Sequence, residues 1–252
     1  MISNAFSLAE RCAMITGANT GIGQAVAIAL AAAGADIIAV GRSDPAETQS
    51  AVLSMGRRFS AIHADLSQPQ DMSAVAEAAL AEFGKIDILV NNAGIVRRND
   101  AVDFGAADWD AVMDVNLKSV FFLTQAVGRR MIEVRRGKVI NIASMLSFQG
   151  GIRVASYTAS KSALAGLTRL LANEWAAKGV NVNAIAPGYI ATSNTQALQA
   201  DETRNREILA RIPAGRWGQP ADIGGAAVFL SASASDYVHG AIIPVDGGWL
   251  AR

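Results

Sequence analysis

Tyr157 and Lys161 stand four residues apart in "SYTASK", residues 156–161, among small side chains. On a helix such residues share one face, so the phenol and the ammonium group can meet in one site. A free phenol has a pKa of about 10 and exchanges protons poorly near neutrality. A neighbouring cation favours phenolate and lowers that value, which suits the pair to general acid/base work. Ser144, at the end of "GKVINIAS", adds a hydroxyl that can hydrogen-bond a substrate carbonyl oxygen while the tyrosine exchanges the proton. Asn116, in "MDVNLKSVFF", is an amide inside an apolar helical pattern and needs partners there, structural or functional. A Tyr and a Lys at this spacing also occur on many solvated helices, so the surrounding motifs decide what the pair is for.

The stretch "TGANTGIG", residues 16–23, follows the apolar run "CAMIT" and opens an Ala-rich helical pattern. Gly17, Gly21 and Gly23 allow a tight turn and close backbone approach, and the helix N-terminus offers free N–H groups to a pyrophosphate. The spacing is G-x-x-x-G-x-G rather than the G-x-G-x-x-G fingerprint. After the next apolar run the chain reads Gly41, Arg42, Ser43, Asp44. An arginine there accommodates the 2′-phosphate of NADP and an acidic residue binds the 2′-OH of NAD, so Arg42 favours NADP and Asp44, if turned inward, favours NAD. Asp65 in "HADLS" and "NNAG", residues 91–94, follow two further strand candidates. Asn, Asp and Gly are ordinary turn residues, but beyond the carboxyl ends of consecutive parallel strands they would line one ligand groove.

The elements that must hold these residues read as short β-branched or apolar runs alternating with longer Ala-rich runs of helical spacing, the pattern of βαβ units around a parallel sheet. Seven strand candidates stand out: "CAMIT", "DIIAV", "SAIHA", "IDILVN", "GKVINIA", "VNVNAIAP" and "AIIPVD". Segments such as "GQAVAIALAAAG", "PQDMSAVAEAALAEFG" and "KSALAGLTRLLANEWAAKG" end at Gly, a residue suited to the C′ position of a helix. Residues 192–219 depart from the alternation; polar and interrupted by Pro213, they read as an insertion capping the site. With no linker or repeat, the chain reads as one α/β domain over 1–252, a cofactor-binding half over about 10–115 and a catalytic and substrate half over about 116–252.

A chain of 252 residues can build one large core. Lys plus Arg and Asp plus Glu both total 22, which gives no reason to expect nucleic acid or an anionic membrane as partner and points to a small neutral or anionic ligand. The single cysteine, Cys12, excludes an internal disulfide framework and a cysteine-rich metal site. His63 and His239 are isolated and read as structural, so no metal site is expected. The N-terminal stretch lacks a basic segment followed by a long apolar one, and the most apolar run is broken by Gly34 and Asp36, too early for a membrane span. The expected location is cytoplasmic.

Taken together, Gly17, Gly21, Gly23, Asp65, "NNAG", Asn116, Ser144 and "YTASK" resemble the classical short-chain dehydrogenase/reductase family over nearly the whole chain. The resemblance implies a doubly wound Rossmann fold with a seven-stranded parallel sheet flanked by helices, a nicotinamide cofactor and a homotetramer. It implies a tetrad of Asn116, Ser144, Tyr157 and Lys161: Tyr157 protonates the carbonyl oxygen during reduction, Ser144 orients it, Lys161 lowers the tyrosine pKa and holds the nicotinamide ribose, and Asn116 anchors a water relay. Besides Tyr157 and Lys161, it places Gly17, Asn19, Thr20, Gly21, Ile22, Gly23, Arg42, Asp65, Leu66, Asn92, Ala93, Gly94, Pro187, Gly188, Ile190 and Thr192 along the cofactor.

Stretches the scaffold does not demand, including "SMLSFQGGIRV", "RIPAGRWGQPADI" and "VDGGWLAR", resemble a branch of that family acting on deoxy sugar acids in bacterial uronate catabolism, preferentially with NADH. The turn at Arg42 departs from that branch by lacking the acidic residue that secures NAD, which keeps NADP(H) in play. A sugar acid needs bidentate partners for its carboxylate, and Arg97, Arg98, Arg153 and Arg216 flank the predicted rim; Arg153 is expected to meet it, with Met145, Gln149 and Tyr189 lining the pocket. The terminal "VDGGWLAR" is expected at a subunit interface or the floor of a neighbouring site. Three alternatives stand beside this reading: a gluconate 5-dehydrogenase-like reductase, a 3-oxoacyl-carrier-protein reductase docking its acidic carrier on Arg129, Arg130, Arg135 and Arg136, and a cofactor-binding regulator without catalysis. The complete tetrad speaks against the last, and the arginine cluster also suits the C-terminal dipole of the long helix before the fifth strand.

Overall fold

A computed structural model describes residues 2–252. The elements run α1 (Ile2–Ala5), β1 (Cys12–Thr16), α2 (Gly21–Ala32), β2 (Asp36–Gly41), α3 (Ala46–Ser54), β3 (Phe59–His63), α4 (Met72–Phe83), β4 (Ile88–Asn91), α5 (Ala106–Met113), α6 (Ser119–Glu133), β5 (Gly137–Ile142), α7 (Ala155–Trp175), β6 (Val180–Pro187), α8 (Gln196–Ala200), α9 (Glu202–Arg211), α10 (Gly224–Ser231) and β7 (Ile242–Val245). The seven strands form one parallel sheet in the order β3-β2-β1-β4-β5-β6-β7. Strand order reverses between β1 and β4, which opens a crevice at their carboxyl ends.

The strands read as apolar runs because both faces of the sheet are covered. Side chains alternate between two layers. Ala13, Ile15, Ile37, Ala39, Ile88, Val90 and Ile140 pack toward α2 and α10, while Cys12, Met14, Ile38, Val40, Leu89, Val139 and Val182 pack toward α4, α6 and α7. A buried polar chain crosses the second face: Asn91 Nδ2 donates to Asn141 Oδ1 and to Thr124 Oγ1, both at 2.9 Å, and Asn141 Nδ2 donates to Thr168 Oγ1 at 2.9 Å. It fixes β4 and β5 against α6 and α7 directly behind the crevice. Pro244 is accommodated because β7 is an edge strand.

Residues 192–219 are largely helical, comprising α8, α9 and a short turn at Ser193–Thr195. They are held by a separate cluster in which Ile208, Ile212, Trp217, Trp249 and Met145 are buried. Trp249 of the C-terminal stretch therefore packs within its own chain, its ring 4.7 Å from that of Tyr189. No helix among the described residues is long and apolar enough to cross a membrane.

Candidate active site

Gly17 and Gly21 adopt positive φ, 68° and 58°, and turn the chain from β1 into α2. Gly23 has an ordinary backbone but no room: a Cβ there would lie 2.1 Å from the Gly17 carbonyl oxygen and 2.4 Å from Asn92 Nδ2. Asn92 explains this closeness, donating from Nδ2 to the carbonyls of Thr16 at 3.0 Å and Gly17 at 3.2 Å. Thr16 answers from the other side, its Oγ1 accepting from the N–H groups of Asn92 and Ala93 at 3.0 Å each. Thr16 was not among the sequence candidates; as the last residue of a strand its hydroxyl carries no pattern, yet it clamps the two loops together. The first N–H groups of α2 lack intrahelical acceptors, and Thr192 packs over the turn, its Cγ2 3.5 Å from the place of a Gly21 Cβ. Glycine cradle, helix N-terminus and covering threonine fit a pyrophosphate, with Asn19, Thr20 and Ile22 carrying the turn between them.

Beyond β2 a cavity of about 310 Å³ is lined by Asn19, Gly41, Arg42, Ser43, Asp44 and His63, among others. The turn thus presents both candidate ribose partners, Arg42 and Asp44, and places His63, read from sequence as structural, on the cavity wall. Arg42 Nη1 lies 3.9 Å from Asp65 Oδ1; Asp65 also accepts from the Ser67 N–H, which together with Arg42 holds its carboxyl below the usual range. Leu66 and Ile190 bury their side chains in the two core layers, and Pro187 is buried at the end of β6. Any contact of Leu66 or Ile190 with a cofactor is therefore through the backbone. Gly188 passes so close to Asp246 that a Cβ would lie 2.5 Å from its Cα.

Tyr157 and Lys161 lie in the first two turns of α7. Lys161 is 5 % exposed; Nζ donates to the Ile142 carbonyl at 2.6 Å and sits 5.7 Å from the centre of the Tyr157 ring. Burial pulls the Lys161 ammonium down to about 8. Burial pushes the Tyr157 phenol above its ordinary value, while the Ser144 hydroxyl and the Arg98 guanidinium pull it back. The expected cation, Lys161, is not what opposes the upward push here. Ser144 opens the turn after β5, its Oγ accepting the Leu146 N–H at 3.2 Å. The turn is tied to α7 by Ser147 Oγ donating to the Lys161 carbonyl at 2.7 Å and Ser162 Oγ donating to the Leu146 carbonyl at 3.0 Å.

Asn116 lies in a single π-turn, Asp114–Lys118, between α5 and α6, not in a regular helix; such bulges recur at functional sites. Its amide is fully engaged, Oδ1 accepting the Ile95 N–H at 2.8 Å and Nδ2 donating to the Ile95 carbonyl at 2.9 Å and Ser160 Oγ at 3.4 Å. It fastens the segment following Gly94 to α7.

The four rim arginines differ in their partners. Arg97 pairs with Asp108 at 3.2 Å, Arg153 with Asp100 at 3.1 Å, and Arg216 makes a two-pronged bond to Asp222 at 2.7 and 3.0 Å. Among the described residues Arg98 alone of the four has no carboxylate partner; its Nη2 reaches the Asn194 carbonyl of the capping segment at 3.5 Å. Arg153, the expected substrate arginine, makes an exposed pair with Asp100. Met145 and Tyr189 belong to the aromatic cluster under the capping helices, and Gln149 Oε1 accepts from Trp249 Nε1 at 3.3 Å and Arg211 Nη2 at 3.4 Å.

A family model described as enoyl-(acyl carrier protein) reductase matches residues 17–250. The 2-dehydro-3-deoxy-D-gluconate 5-dehydrogenase of Dickeya dadantii is 61% identical over 253 residues, covering 100% of both chains, and the Escherichia coli protein of the same name is 59% identical with the same coverage. A crystal structure of a gluconate 5-dehydrogenase from Burkholderia cenocepacia, in complex with NADP and tartrate, is 39% identical, covers 100% of each chain and superposes with a TM-score of 0.96.

Proposed function

The chain belongs to the short-chain dehydrogenase/reductase family of nicotinamide-dependent oxidoreductases, and on that premise we propose that it interconverts 2,5-diketo-3-deoxygluconate and 2-dehydro-3-deoxy-D-gluconate in uronate catabolism. The observation carrying the substrate class is that Arg98, the one rim arginine without a carboxylate partner among the described residues, lies near enough for its charge to lower the Tyr157 pKa. A sugar acid brings a carboxylate a few bonds from its reacting carbonyl, and a guanidinium without a carboxylate partner, its charge felt at the proton donor, answers that arrangement. Relatives named for this reaction, 59 and 61% identical over the full chain, support the choice.

Bound in the groove, the nicotinamide supplies or accepts the hydride. Tyr157 gives its proton to the carbonyl oxygen during reduction and takes it back during oxidation; Ser144 donates a hydrogen bond to the same oxygen and holds it against the phenol. Lys161 keeps its position through the Ile142 carbonyl and adds positive charge beneath the ring. Asn116 acts as a positioning residue, holding the Ile95 segment and α7 in register. Arg98 takes the substrate carboxylate, and Tyr189 and Met145 supply the apolar wall.

The 2′-phosphate of NADP finds Arg42 on the wall of the adenosine-side cavity, so NADP(H) is accepted beside NAD(H). A homotetramer is supported by the family and by the half-exposed Trp109, Phe122 and Leu170 on α5, α6 and α7. The carrier-protein alternative loses its dock. Arg135 and Arg136 lie at the amino end of β5, the opposite end of that strand from Ser144 and so away from Tyr157.

The test follows nucleotide absorbance with purified protein, 2,5-diketo-3-deoxygluconate and either NADH or NADPH, with 5-ketogluconate as comparator. Turnover of the diketo acid above the comparator supports the assignment. Absence of turnover with either nucleotide overturns it.

A further inference from the structure

At the amino ends of the strands, a cavity of about 320 Å³ is lined by Arg11, Arg136, Lys138, Asn181, Ser231 and His239 together with Asp87 and Asp236. It lies at the opposite end of β5 from Ser144, about 20 Å away by strand rise, so it is separate from the groove described above. Positive charge is in excess there. Arg11, Lys85 and Arg136 converge on the single carboxylate of Asp87 at 3.3, 3.7 and 3.6 Å, and Lys138 takes Asp236 at 2.7 Å.

The wall also holds polar atoms without partners. Ser231 is 4 % exposed and its Oγ makes no hydrogen bond. Asn181 Nδ2 is fixed by the carbonyls of Asp236 and Val238, each at 3.0 Å, and lies 3.2 Å from His239 Nε2. The other ring nitrogen of His239, Nδ1, is buried with no partner. A hydroxyl and a ring nitrogen thus stand unpartnered in residues that line a cavity rimmed by guanidinium groups, and an oxyanion would accept from the hydroxyl and the guanidinium groups.

We infer that this cavity is a second binding site, for a compact multivalent oxyanion, at the end of the sheet remote from catalysis. Pyrophosphate and citrate probe the phosphate and polycarboxylate sources of that chemistry. The experiment titrates each by calorimetry into the intact protein, with NADP in excess to occupy the groove at the carboxyl ends. Saturable binding of at least one probe is expected, weakened about tenfold by Arg136→Gln or Ser231→Ala and unchanged by Arg42→Ala, with kcat unaltered in the Arg136→Gln and Ser231→Ala proteins. Preference for one probe then names the ligand class. No saturable binding of either up to about 10 mM, or binding that Arg136→Gln and Ser231→Ala leave intact, overturns the proposal.

Discussion

The Lys161 ammonium lies 5.7 Å from the centre of the Tyr157 ring but is bonded to the Ile142 carbonyl at 2.6 Å. One helical turn brings the two residues to the same face of α7, and the end of β5 decides what the ammonium touches. Its burial holds Lys161 near 8, and the phenol owes its downward pull to Ser144 and Arg98.

Tyr157→Phe removes the exchangeable proton and little else. We expect kcat to fall by about 10²- to 10⁴-fold, with NADP affinity within about twofold of wild type, checked by steady-state assay and by nucleotide fluorescence. A wild-type protein that binds nucleotide but turns over no carbonyl substrate would instead indicate a cofactor-binding regulator.

Arg98→Ala and Arg153→Ala separate the two candidate carboxylate partners. Loss of a charge-assisted bond worth about 1.5–3 kcal/mol corresponds to roughly a 10- to 150-fold drop in kcat/KM for the sugar acid in Arg98→Ala. Arg153→Ala breaks only an exposed pair and is expected to change kcat/KM less than about threefold. Arg98 also lowers the Tyr157 pKa, so its removal moves the acid limb of the oxidation profile, where the phenol must be deprotonated, to higher pH. Equal kinetic effects in the two variants would remove Arg98 from its assigned role.

Arg42→Ala is expected to raise KM for NADPH by about tenfold or more, the worth of one charge-assisted phosphate contact, and to leave KM for NADH nearly unchanged. A parallel rise in both would mean that Arg42 shapes the turn without meeting the 2′-phosphate.

Gly23→Ala places a Cβ 2.1 Å from the Gly17 carbonyl. The turn must open to admit it, and the expected result is at least about tenfold weaker NADP binding, read by calorimetry. Unchanged affinity would show that the turn relaxes without disturbing the cradle.

Lys161 makes stability depend on pH. Its folded-state value is depressed to about 8 from 10.5. Between these values the unfolded chain keeps a proton that the folded protein has released, so this group's contribution to stability rises with pH across that window, by up to about 1.4 kcal/mol per unit. Below about pH 8 both states hold the proton and the dependence vanishes. Urea unfolding at pH 8.0 and 9.5 should therefore show wild type gaining stability relative to Lys161→Met. The buried Cys12 thiol, pushed up to about 12, is present in both proteins and cancels. A constant difference between the two proteins would contradict the depressed value.

The amino-acid sequence by itself determined the parallel sheet, because strands covered on both faces read as apolar runs and the helices between them repeat at 3.6 residues. It also determined the glycine turn after β1 and the shared face of Tyr157 and Lys161, since turn chemistry and i,i+4 spacing are local. Boundaries were nearly legible: "SAIHA" shifts by one residue to Phe59–His63, and "IDILVN" shortens to Ile88–Asn91. What the tertiary structure alone decided is partnership. Four rim arginines look alike in sequence, and only folding brings Asp108, Asp100 and Asp222 to Arg97, Arg153 and Arg216 and leaves Arg98 without a carboxylate partner among the described residues, its charge felt at Tyr157. The same holds for Thr16, whose hydroxyl gains meaning from loop residues 76 and 77 positions away, and for Asn116, whose π-turn and bonds to Ile95 follow from packing against α7. Local periodicity is written along the chain; which charge is neutralised and which is left for a ligand depends on distances between residues remote in sequence, and these exist only once the sheet has brought its loops together.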